Sequence, residues 1–276
     1  MKNRLIFLDI DGTLTEAGCS VPPSSALRAI QRAREKGNLV FLCTGRNYAM
    51  LKPMLRYPFD GFVGSAGAYV VCGREIICDR PMRTEQKDRA IRSLEEKGVF
   101  YTMECKEASY TDGGFKKFLR QHLTVGANSE MLRWRQDNEK KYHIFPLSEY
   151  KGEPVYKISV VSIVRETMIE VKRILGKDYL FWIQDSGESG ITNGEFMWNG
   201  TDKGTGILEI CKFLQVPPEH TVAFGDSMND VEMIKTAGLG VCMGNGSMHL
   251  KKIADDICGT VEQDGLAAAF EKYGLV

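Results

Sequence analysis

The chain has 276 residues, 43% of them apolar and 26% charged, which is the composition of an ordinary globular protein with a sizeable core. Its 36 basic and 36 acidic residues balance, so a general binder of nucleic acid or of anionic membranes is not expected. No apolar run reaches the ~20 residues of a membrane helix. The start of the chain shows no secretory signal pattern, so we expect a cytoplasmic protein.

The eight cysteines are scattered, and no two of them are spaced as C-x-x-C. Cys43 and Cys242 lie in apolar stretches, as buried free thiols in a reducing compartment do. The spacing does not favour a zinc site.

Near the start of the chain, Leu5–Leu8 is an unbroken apolar run, which predicts a strand covered on both faces, as in a parallel sheet. Asp9 and Asp11 follow at its exit, and Gly12 allows a tight turn. Residues i and i+2 can face one point, and two acids held so close favour a divalent cation or a proton between them. A plain surface turn is the alternative, because Asp and Gly are turn residues.

Residues 24–36 have the spacing of an amphipathic helix that stops at Gly37. A second apolar strand over residues 39–42 follows and runs into Cys43-Thr44-Gly45-Arg46. Strand, helix and strand in this order predict a right-handed βαβ unit. The two acids and Thr44-Gly45-Arg46 are therefore expected at the same edge of one parallel sheet.

The central part of the chain has a different character. Short strands over residues 61–71 and 75–77 come first. After about residue 82, the patterns predict helices over residues 84–96, 116–122 and 165–175, and strands over residues 99–105, 154–162 and 179–183. The strand at 154–162 alternates as if one face were wet, which is typical of a smaller α+β domain with a one-sided sheet.

The parallel-sheet pattern returns late in the chain. A helix over residues 204–214 precedes a buried strand over 221–224, which runs into the polar segment 225–230. A helix over 231–236 and a short strand over 239–243 follow. The sequence thus predicts an α/β fold: a doubly wound parallel-sheet core built from residues 1–82 and 190–276, with a smaller α+β domain, residues 83–189, inserted into it.

Four polar clusters follow buried strands or open helices, and they supply carboxylates, a hydroxyl and a lysine. They are Asp9/Asp11, Thr44-Gly45-Arg46, Lys203-Gly204 and Gly225-Asp226-Ser227-Met228-Asn229-Asp230. This inventory suits phosphoryl transfer, and its oxygen ligands favour Mg²⁺. Each residue also has a structural alternative: a solvated lysine at the start of a helix, a helix N-cap for Thr44 or Asn229, and an acid at the positive end of a helix for Asp226 or Asp230.

The four clusters, in this order, resemble the motifs of the haloacid dehalogenase superfamily, and the chain is similar to its Cof-type members of type IIB. These carry an α/β cap between the second and third motifs, which corresponds here to residues 83–189. One departure is that Ala66 stands where family members commonly have the Asn of an Asn-Gly-Ala triplet.

The resemblance implies a role for each matching residue. Asp9 would be the nucleophile that forms an aspartyl-phosphate. Asp11 would protonate the leaving alcohol and then activate water. The phosphoryl group would be held by Thr44, the Gly45 N–H, Lys203 and Asn229. Mg²⁺ would be bound by Asp9, the backbone carbonyl of Asp11 and Asp226, with Asp230 orienting Lys203 or a water on the metal.

The resemblance also implies a function: a Mg²⁺-dependent phosphatase that hydrolyses a small phosphorylated metabolite, either a sugar phosphate or a cofactor-precursor phosphate. A sugar phosphomutase and a catalytically silent phosphate-binding regulatory protein are the alternatives. The expected partner is a small phosphomonoester, with no nucleic acid or membrane, and the expected state is a monomer or small homo-oligomer. A basic, aromatic stretch in the cap (Arg133, Trp134, Arg135, Lys141, Tyr142 and His143) could read the substrate or form a solvated surface.

Overall fold

A computed structural model of the chain describes residues 3–112, 114, 143–185 and 191–276. The chain divides into two compact units. The core unit contains residues 1–46, 51–79 and 202–276, and the cap unit contains residues 47–50 and 80–201. The sequence instead assigns residues 190–201 to the core, but Thr192–Trp198 is a strand of the cap sheet.

The described residues form fourteen strands and eight α-helices. The strands are β1 (Leu5–Leu8), β2 (Leu39–Cys43), β3 (Gly61–Gly64), β4 (Tyr69–Cys72), β5 (Glu75–Asp79), β6 (Phe100–Cys105), β7 (Ser109–Thr111), β8 (Ile144–Pro146), β9 (Val155–Ser162), β10 (Tyr179–Asp185), β11 (Thr192–Trp198), β12 (Thr221–Gly225), β13 (Leu239–Cys242) and β14 (Asp256–Ile257). The helices are α1 (Ser24–Glu35), α2 (Tyr48–Leu51), α3 (Thr84–Glu96), α4 (Arg165–Leu175), α5 (Lys203–Leu214), α6 (Val231–Thr236), α7 (Met248–Ile253) and α8 (Gly265–Lys272). No helix among them is both long enough and apolar enough to cross a membrane.

The core unit is built on one sheet in the order β14-β13-β12-β1-β2-β3-β4-β5. Neighbours from β14 to β3 are parallel, and β4 and β5 extend the sheet in an antiparallel hairpin. All four residues of β1 are buried, which confirms the strand predicted from its apolar run. Helix α1 packs against α8, and α5 packs against α6. The predicted α/β core is therefore confirmed.

The strand order explains why distant polar segments meet. Strand β1 lies between β2 and β12 and is parallel to both. In a parallel sheet the carboxyl ends of neighbouring strands lie at one edge. Asp9 follows β1, Thr44 follows β2 and Asp226 follows β12, so all three lie at this edge.

The cap unit has its own sheet, in the order β10-β11-β9-β6-β7-β8, antiparallel except for the β7–β8 pair. Helix α3 packs against α4, and both contact the sheet. The apolar core of this unit includes Tyr101, Ile158, Val160, Met168 and Phe196.

The expectation that strand β9 has one wet face is wrong, because all eight of its residues are buried. Two of its polar residues, Lys157 and Ser159, have partners on neighbouring strands. Lys157 forms ion pairs with Glu195 and, at 3.2 Å, with Glu104. The hydroxyl of Ser159 donates to Glu104 at 2.5 Å. Alternation of polar and apolar residues thus predicts that the two faces of a strand differ in polarity. It does not predict that the polar face is exposed to solvent.

Two further predictions concern residues outside those that the structure describes. They are the helix over residues 116–122 and the substrate-reading role of the basic, aromatic stretch up to residue 142. His143, the last residue of that stretch, is exposed.

Candidate active site

Asp9 is the first residue after β1 and is almost fully buried. Its backbone N–H donates to the carbonyl of Phe224 at 3.0 Å, which continues the parallel pairing of β1 with β12. Its Oδ1 accepts from Lys203 Nζ at 2.7 Å. Burial raises the pKa of Asp9 and Lys203 lowers it, while Asp230 and Asp11 raise it further, so that the pKa lies at about 7.

Lys203 begins helix α5, whose N-cap is Asp202. The lysine is 1% exposed, so its interpretation as a solvated residue at the start of a helix is wrong. Besides Asp9, its Nζ contacts Asp230 Oδ1 at 2.5 Å and Asn229 Oδ1 at 3.1 Å. Burial opposes its charge, but Asp230 and Asp9 outweigh burial, and the pKa lies well above its usual value.

Asp230 orders the loop that follows β12. Its Oδ2 accepts the N–H groups of Asp226 and Ser227, each at 2.9 Å, while its Oδ1 receives Lys203. The carboxylate therefore fixes both the loop and the lysine. Asn229 Oδ1 also accepts from the Ser227 hydroxyl, at 2.9 Å.

Asp226 is buried beside the first acidic loop. Its Oδ1 accepts the hydroxyl of Thr13 at 3.2 Å. Gly12 has a φ of +87°, and a Cβ on it would lie 2.5 Å from Asp226 Oδ2. Only glycine satisfies both conditions, so it allows the two acidic loops to approach. Burial and the negative charges of Asp230 and Asp9 raise the pKa of Asp226 well above its usual value.

Asp11 has a different partner from Asp9. The guanidinium of Arg46 binds both oxygens of its carboxylate, with Nε 2.8 Å from Oδ2 and an NH2 nitrogen 2.6 Å from Oδ1. Both side chains are buried. The resemblance to the four motifs assigns no role to Arg46, although the residue follows Thr44-Gly45 directly at the predicted edge of the sheet.

Thr44 follows β2 and is buried, as is Gly45. The Thr44 hydroxyl accepts the N–H of Arg46 at 3.2 Å, so its own proton can be donated to a ligand oxygen. The alternative role of Thr44 as a helix N-cap does not apply to α2, which begins at Tyr48 and in which Asn47 Oδ1 accepts the Met50 N–H. For the short helical turn at Met228–Asp230, the N-cap is Ser227, not Asn229.

The charges of the site do not balance. Among the described residues of the site, four buried carboxylates are matched by two buried cations: Asp9, Asp11, Asp226 and Asp230 against Lys203 and Arg46. With all six groups ionised, the site would carry an excess of two negative charges in a region from which water is largely excluded, which is expensive unless a cation or bound protons compensate it.

The oxygens of this region fit a hard divalent cation. One carboxylate oxygen each from Asp9, Asp226 and Asp230 lies within 4.8 Å of the others. All-oxygen donor sets that include one or two carboxylates are typical of Mg²⁺. The oxygens of Asp230 already accept hydrogen bonds from Lys203 and from two backbone N–H groups. The carboxylates of Asp9 and Asp226 are therefore better placed to bind the cation.

A largely parallel sheet flanked by helices, with acidic residues at the carboxyl ends of its strands, defines a class of α/β enzymes. The model of the haloacid dehalogenase-like hydrolase family matches residues 6–270. The chain therefore belongs to this family, which confirms the resemblance drawn from the four motifs.

Similar proteins cover the whole chain. It is 26% identical over 280 residues to "Putative phosphatase YkrA" of Bacillus subtilis, covering 100% of both chains. It is 27% identical to the "5-amino-6-(5-phospho-D-ribitylamino)uracil phosphatase YitU" of the same organism, covering 99% of this chain and 98% of the relative. Its fold is similar to that of the subclass IIB sugar phosphatase BT4131, with a TM-score of 0.78 at 24% identity over 99% of this chain and 100% of that one. The chain is thus an enzyme of the phosphatase type within its family.

Proposed function

We propose that the protein is a Mg²⁺-dependent phosphatase that hydrolyses a small phosphorylated metabolite through an aspartyl-phosphate on Asp9. The observation that carries the proposal is the position of Asp9 at the carboxyl end of β1, buried, bound to Lys203 and next to Asp226 and Asp230. A carboxylate so placed can attack phosphorus, and the lysine can neutralise the phosphoryl oxygens.

In the first half-reaction, an oxygen of Asp9 forms a bond to phosphorus, and the bond from phosphorus to the ester oxygen breaks. Asp11 gives its proton to that departing oxygen, so the product leaves as an alcohol. Thr44, the Gly45 N–H, Lys203 and Asn229 are the groups we propose to hold the phosphoryl oxygens. Lys203 and Asn229 are already joined at 3.1 Å, so the two can act on one group.

In the second half-reaction, water attacks phosphorus and the bond to the Asp9 oxygen breaks, which releases inorganic phosphate. Asp11, now ionised, takes the proton of that water. Asp230 holds Lys203 in place through both steps, because it accepts from Nζ at 2.5 Å.

Asp9, the backbone carbonyl of Asp11 and Asp226 are the groups we propose to hold Mg²⁺. A cation held there would supply positive charge beside the buried carboxylates, would favour the ionised form of Asp9 and would offset the charge of the phosphoryl oxygens. The excess of carboxylates over buried cations supports this assignment.

The substrate is proposed to be a sugar phosphate or a cofactor-precursor phosphate. One relative is named for a phosphoribitylamino-uracil and a structural neighbour is a sugar phosphatase, so both act on phosphate esters of small polar molecules. Both names support this substrate class.

The proposal is tested with the purified protein and Mg²⁺ on a panel of sugar phosphates, polyol phosphates, phosphorylated cofactor precursors and p-nitrophenyl phosphate. Wild type should release phosphate, and acid-quenched samples should carry a phosphoryl group on the peptide that contains Asp9. Asp9→Asn should lose turnover on the order of 10⁴-fold or more while staying folded, because the amide keeps the shape but cannot attack.

A matched control is Asp256→Asn, which removes a carboxylate from the surface of the same unit and should leave turnover unchanged. Interconversion of hexose phosphates without release of phosphate would favour a mutase. Absence of turnover on the whole panel would overturn the proposal in favour of a phosphate-binding protein.

A further inference from the structure

Arg46 holds the carboxylate of Asp11 by both oxygens, at 2.6 and 2.8 Å, in the fork geometry that arginine provides for carboxylates. The exposed fractions of the two side chains are 1% and 9%. The N–H of Gly18 adds a third donor, 3.3 Å from Oδ1. Together these contacts restrict the carboxylate of Asp11 to one position.

Arg46 is itself fixed through its main chain. Its N–H donates to the Thr44 hydroxyl at 3.2 Å, and its carbonyl accepts the N–H of Ser65 at 2.8 Å. The guanidinium therefore projects from a backbone that is tied to the ends of β2 and β3. A guanidinium has five N–H donors and no acceptor atom, so it can orient Asp11 but cannot take the proton of water in its place.

The next residue, Asn47, is fixed within the cap unit. Its Nδ2 donates to the Cys105 carbonyl at 2.8 Å, to the Ser109 hydroxyl at 3.1 Å and to the Ala108 carbonyl at 3.3 Å, all in or next to the turn that joins β6 to β7. Arg46 ends the first segment of the core unit, and Asn47 begins the first segment of the cap unit. A single peptide bond thus joins the residue that holds Asp11 to the residue that is anchored in the cap.

We propose that Arg46 is the positioning residue for Asp11 and that Asn47 is the anchor through which the cap unit sets Arg46. The proposal rests on the proposed function, since it needs Asp11 to be the acid and base. In this proposal, the cap unit affects the proton transfers of Asp11 through the peptide bond between Asn47 and Arg46.

Displacing Asp11 should slow the second half-reaction most. There the Asp11 carboxylate takes the proton of the attacking water as the bond from the Asp9 oxygen to phosphorus breaks. A base that is displaced by about 1 Å loses on the order of 100-fold in rate. The first half-reaction escapes this loss when the leaving group departs without a proton, as p-nitrophenolate does.

The experiment compares Arg46→Ala and Arg46→Lys with wild type on p-nitrophenyl phosphate and on an alkyl phosphate from the panel. For Arg46→Ala we expect kcat to fall about 100-fold with little change in KM. On p-nitrophenyl phosphate it should show a burst of p-nitrophenolate approaching one per enzyme, followed by slow turnover, and the aspartyl-phosphate should accumulate. On the alkyl phosphate no burst should appear. Arg46→Lys, which keeps the charge and loses the fork, should lie between Ala and wild type.

The chain offers a matched control in Arg34, which binds both oxygens of Asp60 at 2.8 and 3.0 Å in the same unit. Arg34→Ala removes a pair with the same fork geometry, more exposed and away from the acids, and should leave both the burst and kcat unchanged. If Arg46→Ala lowers turnover equally on both substrates without a burst, or leaves it unchanged, Arg46 does not position Asp11.

Asn47 is tested by Asn47→Ala alone and combined with Arg46→Ala. Acting through Arg46, Asn47→Ala should lower kcat at least about fivefold, and this effect should disappear in the Arg46→Ala background. Independent, multiplicative effects would overturn the anchor role. An inactive wild type would overturn the proposed function and this proposal together, whereas an active wild type with a burst-free Arg46→Ala overturns this proposal alone.

Discussion

At the scale of single residues, the charges around Asp9 and its burial determine its protonation state in the absence of a cation. Lys203 lies 2.7 Å away, which alone would lower the pKa of Asp9. Burial together with Asp230 and Asp11 has the larger effect, and the pKa is raised from 3.8 to about 7. Near neutral pH, the proposed nucleophile of the metal-free protein is therefore partly protonated.

This pKa gives a prediction for stability. The folded-state pKa of Asp9 lies above its unfolded value, so its contribution to stability is fully present below about pH 3.8 and is lost as the pH rises through about 7. Asp9→Asn cannot ionise. The stability of this variant relative to wild type should therefore increase between pH 5 and pH 8, as measured by thermal unfolding in EDTA.

Adding Mg²⁺ should reverse the trend for wild type, because a bound cation favours the carboxylate form. Asp9→Asn should respond less to Mg²⁺ than wild type does. Unfolding temperatures of the two proteins that run parallel across this pH range would contradict the prediction.

Ala66 gives a second prediction at this scale. The residue stands where an Asn is common in the family, and its φ of 51° and ψ of 40° place it in the left-handed region. For alanine this conformation costs about 1–2 kcal/mol. Ala66→Gly removes that cost, but it also removes a buried methyl group worth about 0.8 kcal/mol and adds about 0.4–1 kcal/mol of backbone entropy to the unfolded chain.

The three contributions nearly cancel, so Ala66→Gly should change the free energy of unfolding by less than about 0.5 kcal/mol in urea titrations. Ala29→Gly, also buried but inside helix α1, has no strain to relieve and should cost about 1–2 kcal/mol. Equal losses at the two positions would contradict the argument.

At the scale of elements, the start of helix α5 positions Lys203. The side chain of Asp202 accepts the N–H of Thr205 at 2.7 Å, and the Thr205 hydroxyl lies 2.9 Å from the Asp202 N–H, which forms a capping box. Lys203 is the residue directly after the N-cap, so this capping box also fixes the backbone from which the lysine side chain extends.

Asp202→Ala should lower the free energy of unfolding by about 1 kcal/mol and should also lower kcat, because the first turn that carries Lys203 loosens. Ser247→Ala is the control: Ser247 caps α7, with its hydroxyl accepting the Leu250 N–H at 3.2 Å, and α7 carries none of the proposed catalytic residues. Its loss of stability should be similar and its kcat unchanged. Loss of kcat in both variants, or in neither, would contradict the prediction.

The elements of the core could be predicted from sequence because each depends on local pattern. The helix predicted over 231–236 and the strand predicted from Leu5–Leu8 are observed with the same bounds. What local pattern cannot give is a partner far along the chain. Two ion pairs are examples: Lys157 with Glu104, and Arg46 with Asp11. Each joins separate strands or loops, and neither produces a periodic pattern in the sequence.

At the scale of the whole molecule, each unit has its own apolar core. In the cap unit, the ring of Phe196 packs against Phe181 and Tyr179, with centroid distances of 5.1 and 6.1 Å. In the core unit, Phe270 stacks on Phe224 at 5.6 Å. Both Phe196 and Phe270 are completely buried.

Phe196→Ala and Phe270→Ala should each cost about 3–5 kcal/mol, but in different units. In scanning calorimetry we expect Phe196→Ala to lower the transition of the cap unit and Phe270→Ala that of the core unit. Mg²⁺ with inorganic phosphate should raise the core transition alone. One shared transition, shifted equally by both variants, would contradict separate unfolding.

The division into an interrupted core and an insertion could be inferred from sequence because two of the four motifs lie near the start of the chain and two lie late in it. The return boundary could not be placed as well. Six of the seven residues of strand β11 are buried although several of them are polar, and its pairing with β9 and β10 is what assigns it to the cap.

The pairing of β1 with β12 has a consequence for how the protein is made. Thr13 and Asp226, which meet through a hydrogen bond, are 213 residues apart. At a synthesis rate of about 5–20 residues per second, roughly 10–40 s pass between their emergence from the ribosome. During that time the apolar β1 has one edge without its final neighbour, so the nascent chain is most vulnerable to aggregation before its last quarter has been translated.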